Sequence, residues 1–313
     1  MGFDTSYHAV DVELVQRRLL PYLAGHGHDD DLRDLVGRAV ETRKTRFWAK
    51  QWALGAKQAD CGLDPFLHVW GRPFFVIADN AEQVAEDVRR YMATPADAVR
   101  PLAEEMLARV DRSLPGTVEP ADGGVLPDDE SLGKGLDSRI RAVRECAGAV
   151  RDGRATVRLG SAEHDTAQLL AREVPFTVLD FASALTPGWM SRGHSWPTRL
   201  YADAGVEPLG FTGPAPLYAA LREDFPDLDW FDWPTVVENH MVGGFVPASD
   251  VSAARRQLRD RSVELTGAAD DRKAEDIARD LRKIDEAYAL AETLDFGFCE
   301  ATEIYSAMAG EMN

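Results

Sequence analysis

The sequence contains few cysteines and no long apolar run. Its three cysteines, Cys61, Cys146 and Cys299, are far apart, and none belongs to a C-x-x-C pair. We therefore expect reduced thiols rather than a disulfide framework or a cysteine-based redox or metal site. The longest stretch without a charged residue, 208–221, contains three prolines and is shorter than the roughly 20 apolar residues that cross a bilayer. No membrane-spanning helix is expected.

The signatures of well-marked enzyme classes are also missing. The chain has no G-x-S-x-G, no H-E-x-x-H and no G-x-G-x-x-G, and Gly133-Lys134 lacks the other residues of a phosphate-binding loop. The sequence thus names no reaction and predicts no cofactor. Whether the protein is an enzyme stays open at this stage, with a non-catalytic protein favoured.

Basic residues are scarce relative to acidic ones. Lys and Arg number 35 against 53 Asp and Glu, which gives a formal net charge of −18 and a pI of about 4.8. This charge repels nucleic-acid backbones and attracts basic proteins. Near the start, Asp4, Asp11 and Glu13 stand where an export signal would have a basic start and an apolar run. We therefore expect a cytoplasmic protein that binds neither nucleic acid nor membranes.

Composition divides the chain into two parts. Residues 113–136 are rich in Pro, Gly and acidic residues, which is typical of a linker or a long surface loop. The predicted organisation is an N-terminal α+β part at 1–112 and a C-terminal α+β part at 137–313. One domain with a long surface loop is the alternative.

Hydrophobic periodicity predicts helices mixed with short strands, that is, an α+β fold. The opening predicts a strand followed by a helix capped by Asp11, and Asn80 is predicted to cap a helix with Val84 and Val88 on one stripe. Extended segments are predicted at 236–246 and 295–304. Residues 66–77 are aromatic and β-branched, and they predict one or two further strands.

The segment 187–246 concentrates aromatic residues among prolines and glycines, including Trp189, Trp196, Trp230 and Trp233. Aromatic side chains on irregular backbone are typical of a ligand pocket or a partner-binding surface. The alternative is that these side chains only fill a local core.

Three polar residues of the same segment, His194, Glu238 and His240, are the candidates for catalysis. Glu238 and His240 would share one face of a predicted strand, which His194 approaches from a preceding loop. They would suit a small-molecule or metal-dependent hydrolase. Hydrogen-bonded structural residues are the alternative.

Two further clusters carry weaker signals. Along the predicted strand, His68, Trp70 and Arg72 would share one face and form a contact surface, or else one half-buried face of a sheet. His26, His28 and Asp30 are candidate ligands of a divalent metal. The alternative for these three is a solvated loop whose aspartates cap the next helix.

The two ends of the chain carry a resemblance. The Met-Gly start with its strand and helix, and the charged helix that leads into LAETLDFGFCEATEI, resemble uncharacterised bacterial proteins of unknown function, some of them similar to toxin-immunity proteins. The resemblance covers only these ends and implies no catalytic residue. The leading hypothesis is a macromolecule-binding, immunity-like or regulatory factor for a basic protein, with a hydrolase as the alternative.

Overall fold

A computed structural model describes residues 5–122, 124–186, 189–267 and 274–302. The fold is mixed α+β. Its strands are β1 (Thr5–Val10), β2 (Thr156–Leu159), β3 (Ala162–Asp165), β4 (Trp189–Gly193), β5 (Val242–Val246) and β6 (Gly297–Thr302). Its helices are α1 (Val12–Leu14), α2 (Leu20–Leu23), α3 (Arg33–Gln58), α4 (Pro65–His68), α5 (Ala81–Ala93), α6 (Val99–Val110), α7 (Asp129–Arg151), α8 (Thr166–Leu185), α9 (Pro197–Asp203), α10 (Ala219–Asp224), α11 (Ala248–Asp260), α12 (Ser262–Gly267) and α13 (Ala274–Leu294).

Four strands form the central sheet in the order β4-β1-β6-β5, and each neighbouring pair is antiparallel. The first and last described strands are therefore partners at its centre, with Tyr7 opposite Glu300 and His8 opposite Cys299. Strands β2 and β3 form a separate hairpin. Pairing of the two ends of the chain makes the sheet depend on contacts that are distant in sequence.

Helices cover both faces of the sheet, and side chains alternate between the two faces along each strand. We name the faces after two neighbours on β6. The Glu300 face carries Tyr7 and Phe298 and packs against a core that includes residues of α5, α6, α11 and α13. The Cys299 face carries Val10 and Phe245 and packs against a core that includes residues of α2, α7 and α8. The result is a three-layer arrangement with the sheet in the middle.

Helix α3 contributes to both cores, because its first half packs with the Cys299 face and its second half with the Glu300 face. Leu35 and Ala39 belong to the former core, and Ala49 and Trp52 to the latter. Each core also draws residues from before and after the predicted linker. Polar side chains of this helix are buried as well, including Lys50, which donates to the carbonyl of Arg72.

Side-chain caps explain where several helices begin. The carboxylate of Asp11 accepts from the backbone N–H of Leu14 at 2.9 Å. The side-chain oxygen of Asn80 likewise accepts from the backbone N–H of Gln83 at 2.8 Å. Such caps satisfy N–H groups that have no partner inside the helix. The helix predicted after Asn80 is confirmed as α5.

The structure corrects two predictions. Residues 66–77 are not strands: Pro65–His68 forms helix α4, which Asp64 caps, and no strand follows before Ile77. The aromatic residues there reflect burial rather than strand formation, since Phe74 and Phe75 are in the core. The predicted linker also ends early, because α7 begins at Asp129. Among the described helices, none has the length and apolar character needed to cross a membrane.

Candidate functional site

An irregular segment between α10 and β5 combines exposed acidic and apolar side chains. We call residues 226–240 the acidic-aromatic loop. Trp233 is 50% exposed and Val237 is 56% exposed, although most large apolar side chains of the described chain are buried. Asp227 and Asp229 are also exposed, and no ion pair involves either of them in the described residues. The loop therefore exposes both apolar groups and carboxylates that no ion pair of the described residues neutralises.

The base of the acidic-aromatic loop is held in place by specific contacts. Trp230 stacks on Tyr218 with ring centroids 5.3 Å apart, and its indole N–H donates to the carbonyl of Phe225 at 3.1 Å. The Tyr218 hydroxyl donates to the carbonyl of Phe231 at 3.0 Å. These contacts bury one side of the segment and leave its far side to solvent. Trp230 thus acts as an anchor, whereas Trp233 is available for contact.

Asp232 ties the middle of the loop to the segment before α10. One carboxylate oxygen accepts from the backbone N–H of Ala215 at 3.0 Å, and the other pairs with Arg222 at 2.9 Å. Because Asp232 is neutralised and anchored, it contributes to the loop's shape more than to its charge. Trp233 follows it directly, so this contact fixes where the exposed indole leaves the backbone.

The candidates for catalysis are not gathered into one site. Glu238 pairs with Arg172 at 3.4 Å, and His240 lies edge-on to Phe176 with ring centroids 5.4 Å apart. His194 instead follows β4, and its backbone N–H donates to Asp280 at 2.8 Å.

The sheet register shows how far apart the two histidines are. Gly193 pairs with Thr5, Thr5 pairs with Thr302, and the backbone of Thr302 donates to Met241. His194 and His240 adjoin opposite ends of this row, at opposite edges of the sheet. Three strand spacings of about 4.8 Å separate those edges. These histidines do not share a pocket.

The remaining predicted aromatic contacts have different positions. Trp196 is half-buried directly before α9, and the side chain of Trp189 lies outside the described residues. Trp70 is half-buried, and the Lys57 ammonium lies 5.4 Å from the centroid of its ring. Burial lowers the pKa of His68 to about 4, assisted by the nearby charge of Arg72. His68 is therefore neutral at pH 7.

Arg72 does not lie on a contact surface. Its side chain is 1% exposed, and its guanidinium pairs with Glu286 at 2.6 Å while donating to the carbonyl of Val76 at 2.9 Å. A buried arginine has to find its partners inside the protein. The predicted shared face of His68, Trp70 and Arg72 depended on a strand that is absent between Phe66 and Ile77, so the pattern misplaced this side chain.

The candidate metal ligands point to different partners. His26 faces Asp224 at 3.9 Å, and Asp30 forms an ion pair with Arg33. The backbone N–H of His28 donates to Asp31 at 2.6 Å, at the start of a 3₁₀ turn. In the described ranges, no group of three or more His, Cys, Asp or Glu residues is close enough to hold a metal ion.

Two buried carboxyls were missed by the sequence analysis. Glu300 is fully buried on β6, and burial raises its pKa to about 7, although hydrogen bonds from Thr198 act in the opposite direction. Asp280 on α13 is also buried, and this burial raises its pKa to about 6. An acid between Cys299 and Ala301, flanked by apolar residues on both sides, was the signal available in the sequence. Carboxyls with shifted pKa values are common at functional sites but also occur as structural groups.

Comparison of the chain with protein-family models, with curated proteins and with solved structures gives no match. The resemblance at the two ends of the chain therefore stays a prediction. The functional argument rests on the residues of the chain itself.

Proposed function

We propose that the protein is a binding protein that captures a basic protein partner on the acidic-aromatic loop. Its role would be that of an immunity-like or regulatory factor. The observation that carries the proposal is the half-exposed Trp233 on the same loop as Asp227 and Asp229, whose charges are not neutralised by ion pairs in the described residues. Tryptophan is among the residues that most often dominate binding energy at protein interfaces.

Charge supports a basic partner over a neutral or acidic one. The net charge of −18 attracts cationic proteins over several ångströms and speeds their encounter. Apolar contact by Trp233 and Val237 would then slow dissociation, because apolar burial acts only at short range. A stable interface buries roughly 1,200 Å² or more in total, so surfaces beside the loop would take part as well.

The same proposal places the protein in the cytoplasm. Its cysteines, Cys61, Cys146 and Cys299, are all free, and two of them are buried. Free thiols are typical of reducing compartments. The alternative of a hydrolase receives less support, because His194 and His240 lie at opposite edges of the sheet.

Short synthetic peptides test the proposal directly. The probes are fluorescent peptides rich in Arg and Lys with one central Trp or Leu, and binding is followed by fluorescence anisotropy at about 50 mM and about 300 mM NaCl. We expect salt-sensitive binding that Trp233→Ala weakens about tenfold, which corresponds to about 1.4 kcal/mol. The D227N/D229N variant should reduce both the affinity and its salt dependence.

Matched variants elsewhere on the surface serve as controls. Trp48 is 38% exposed and lies on α3, so Trp48→Ala removes an exposed indole away from the loop. The E86Q/D97N variant removes two exposed charges from the part of the chain that precedes the predicted linker at 113–136. If W48A and W233A lose peptide affinity equally, or if D227N/D229N and E86Q/D97N do, the attraction is unspecific and a site on this loop is refuted.

A further inference from the structure

Glu300 lies directly beneath the acidic-aromatic loop. Its Oε1 atom accepts from the Thr198 hydroxyl at 2.5 Å and from the backbone N–H of Gly244 at 3.1 Å. Its Oε2 atom accepts from the backbone N–H of Thr198 at 3.0 Å. The Thr198 hydroxyl also contacts that of Thr235, a loop residue, at 2.6 Å. The carboxyl thus connects β6 to α9 and to the loop.

Glycines of β5 make this close approach possible. A Cβ at Gly243 would lie 2.7 Å from Oε1 of Glu300, and a Cβ at Gly244 would lie 2.6 Å from the Thr198 side chain. Any other residue at either position would push the carboxyl or α9 away. The buried position of Glu300 is therefore built into the sequence of the neighbouring strand.

The cover over Glu300 is thin on one side. The central strands and the long helix α13 enclose it elsewhere, but towards α9 and the loop it is covered by Thr198 and Thr235, which are themselves half-buried. Helix α9 spans seven residues, and the loop has no regular structure. Opening on this side requires the fewest packed contacts to break, because short and irregular segments have low local stability.

The surroundings of Glu300 supply hydrogen bonds but no opposite charge. In the described part of the chain, no ion pair joins it to a cation, and its hydrogen-bond partners there are hydroxyl and backbone N–H groups. A buried carboxylate without a cation is costly in free energy. The cost is relieved either by binding a proton or by admitting water, and the thin cover is where water can enter.

We propose that Glu300 makes the position of the acidic-aromatic loop depend on pH. The protonated carboxyl favours the closed position, in which Thr198 and Thr235 lie against β5 and β6, and its ionisation favours opening of α9 and the loop. This inference rests on the proposed function in one respect only, namely that the loop is the surface that binds the partner. The protein would then present a more mobile binding loop above neutral pH.

Linkage gives the direction and the size of the effect. Burial raises the pKa of closed Glu300 from 4.5 to about 7, whereas a carboxyl in contact with water keeps the ordinary value. The closed form therefore holds the proton more tightly than the open form. Between these two pKa values, each unit rise in pH increases the ratio of open to closed molecules by up to about tenfold, and above the higher value the ratio stops changing.

The tyrosine and cysteine groups around Glu300 keep their protons over this range, whereas burial raises the pKa of Asp280 on α13, which accepts from the N–H of His194 just before α9, to about 6. Tyr288 of α13 faces Glu300 and Tyr201 of α9 lies near Tyr288, and burial raises the pKa of both hydroxyls above 10. Burial also raises the pKa of the neighbouring Cys299 thiol. Tyr7 of β1 lies opposite and donates to the carbonyl of Ser195 at 2.6 Å. The loop and β5 contribute only threonine and glycine to these contacts.

Hydrogen exchange of the full-length protein, measured by mass spectrometry without any partner, tests the proposal. Amide protection is compared from about pH 5 to about pH 8 after correction for the intrinsic exchange rate, in peptides covering α9 and the loop. We expect protection to fall by up to about tenfold per pH unit below pH 7 and then to level off. Peptides covering α5 serve as the internal control and should show no such fall.

Two variants separate this effect from general loosening. In Glu300→Gln, which keeps the shape but cannot ionise, the pH profile of the loop should be flat, and α9 should keep only a smaller slope that Asp280 causes through His194. In Thr235→Val, which lacks the hydroxyl contact, protection should be lower at every pH while the slope remains. A flat profile in the wild type, or an unchanged slope in E300Q, overturns the proposal. If the wild-type protein shows the expected exchange profile but binds none of the peptides, the proposed function is refuted and the pH dependence of the loop is not.

Discussion

On the Cys299 face of the sheet, strand side chains such as Val10 and Phe245 meet mostly apolar helices that bury Asp180, whereas the helix layer on the Glu300 face buries more charged groups. Helix α13 alone places Asp280, Lys283 and Glu286 in the interior. Apolar packing closes both faces to solvent, and paired buried charges add to it on the Glu300 face. The stability of an apolar core depends on how completely its volume is filled. The stability of a buried charge depends on an opposite charge or hydrogen bonds beside it.

Buried histidine and buried glutamate show the same contrast at the centre of the sheet. His8 on β1 faces the Cys299 side, and burial lowers its pKa to about 3, so that it is neutral at pH 7. Glu300 on the adjacent strand faces the other side and titrates near neutral pH. Of these two buried groups, only Glu300 changes its protonation near neutral pH.

Breaking the buried ion pair of the Glu300 face should have the largest effect. Glu286→Gln leaves the Arg72 guanidinium buried without an opposite charge, and we expect a loss of about 3–5 kcal/mol in the free energy of unfolding. Urea unfolding followed by far-UV circular dichroism measures this loss. The double variant R72M/E286L removes both charges and should lose less than either single variant. Additive losses in the double variant would show that the pair is not coupled.

Local signals in the sequence predicted much of the fold. The caps and stripes around Asp11 and Asn80 were sufficient to predict the elements after them, because a cap and a hydrophobic period act within a few residues. The strands at both ends of the chain were predicted on composition. Their pairing with each other was not, since nothing local specifies a partner about 290 residues away.

The candidate site was predicted only in part. The aromatic segment pointed to the region of Trp233, but not to which indole would be exposed, because Trp230 has the same local composition and is anchored on Tyr218. His194 and His240 were placed together because strand order is not encoded locally. Glu300 was missed for a similar reason: its chemistry depends on Thr198 and Gly244, which approach it from elsewhere in the chain.

The pH dependence of stability should differ in sign between Glu300 and His8. For Glu300 the folded pKa is raised, so its contribution is fully present below pH 4.5 and is lost as pH rises to about 7. For His8 the folded pKa is lowered, so stability is lost as pH falls from 6.5 towards 3. Each slope reaches at most about 1.4 kcal/mol per pH unit.

Urea unfolding across this pH range checks both signs in single variants. His8→Gln should reduce the loss of stability at acid pH, to which His68 and ion-paired carboxyls such as Asp285 also contribute, and Glu300→Gln should remove part of the loss towards neutral pH. Asp280, whose pKa burial also raises, keeps a residual slope of the same sign as Glu300. Identical pH profiles for the wild type and both variants would refute the contrast between His8 and Glu300.

Removing the Trp233 side chain from the acidic-aromatic loop should have the smallest effect on stability, since this side chain packs against neither face of the sheet. Trp233→Ala removes a half-exposed indole, and we expect a change in the free energy of unfolding within about 0.5 kcal/mol. Trp52→Ala is the matched comparison, because Trp52 is 3% exposed in the core of the Glu300 face and should cost about 3–5 kcal/mol. A large loss for W233A would mean that the indole is part of the fold, and its exposure would then no longer favour a role in binding.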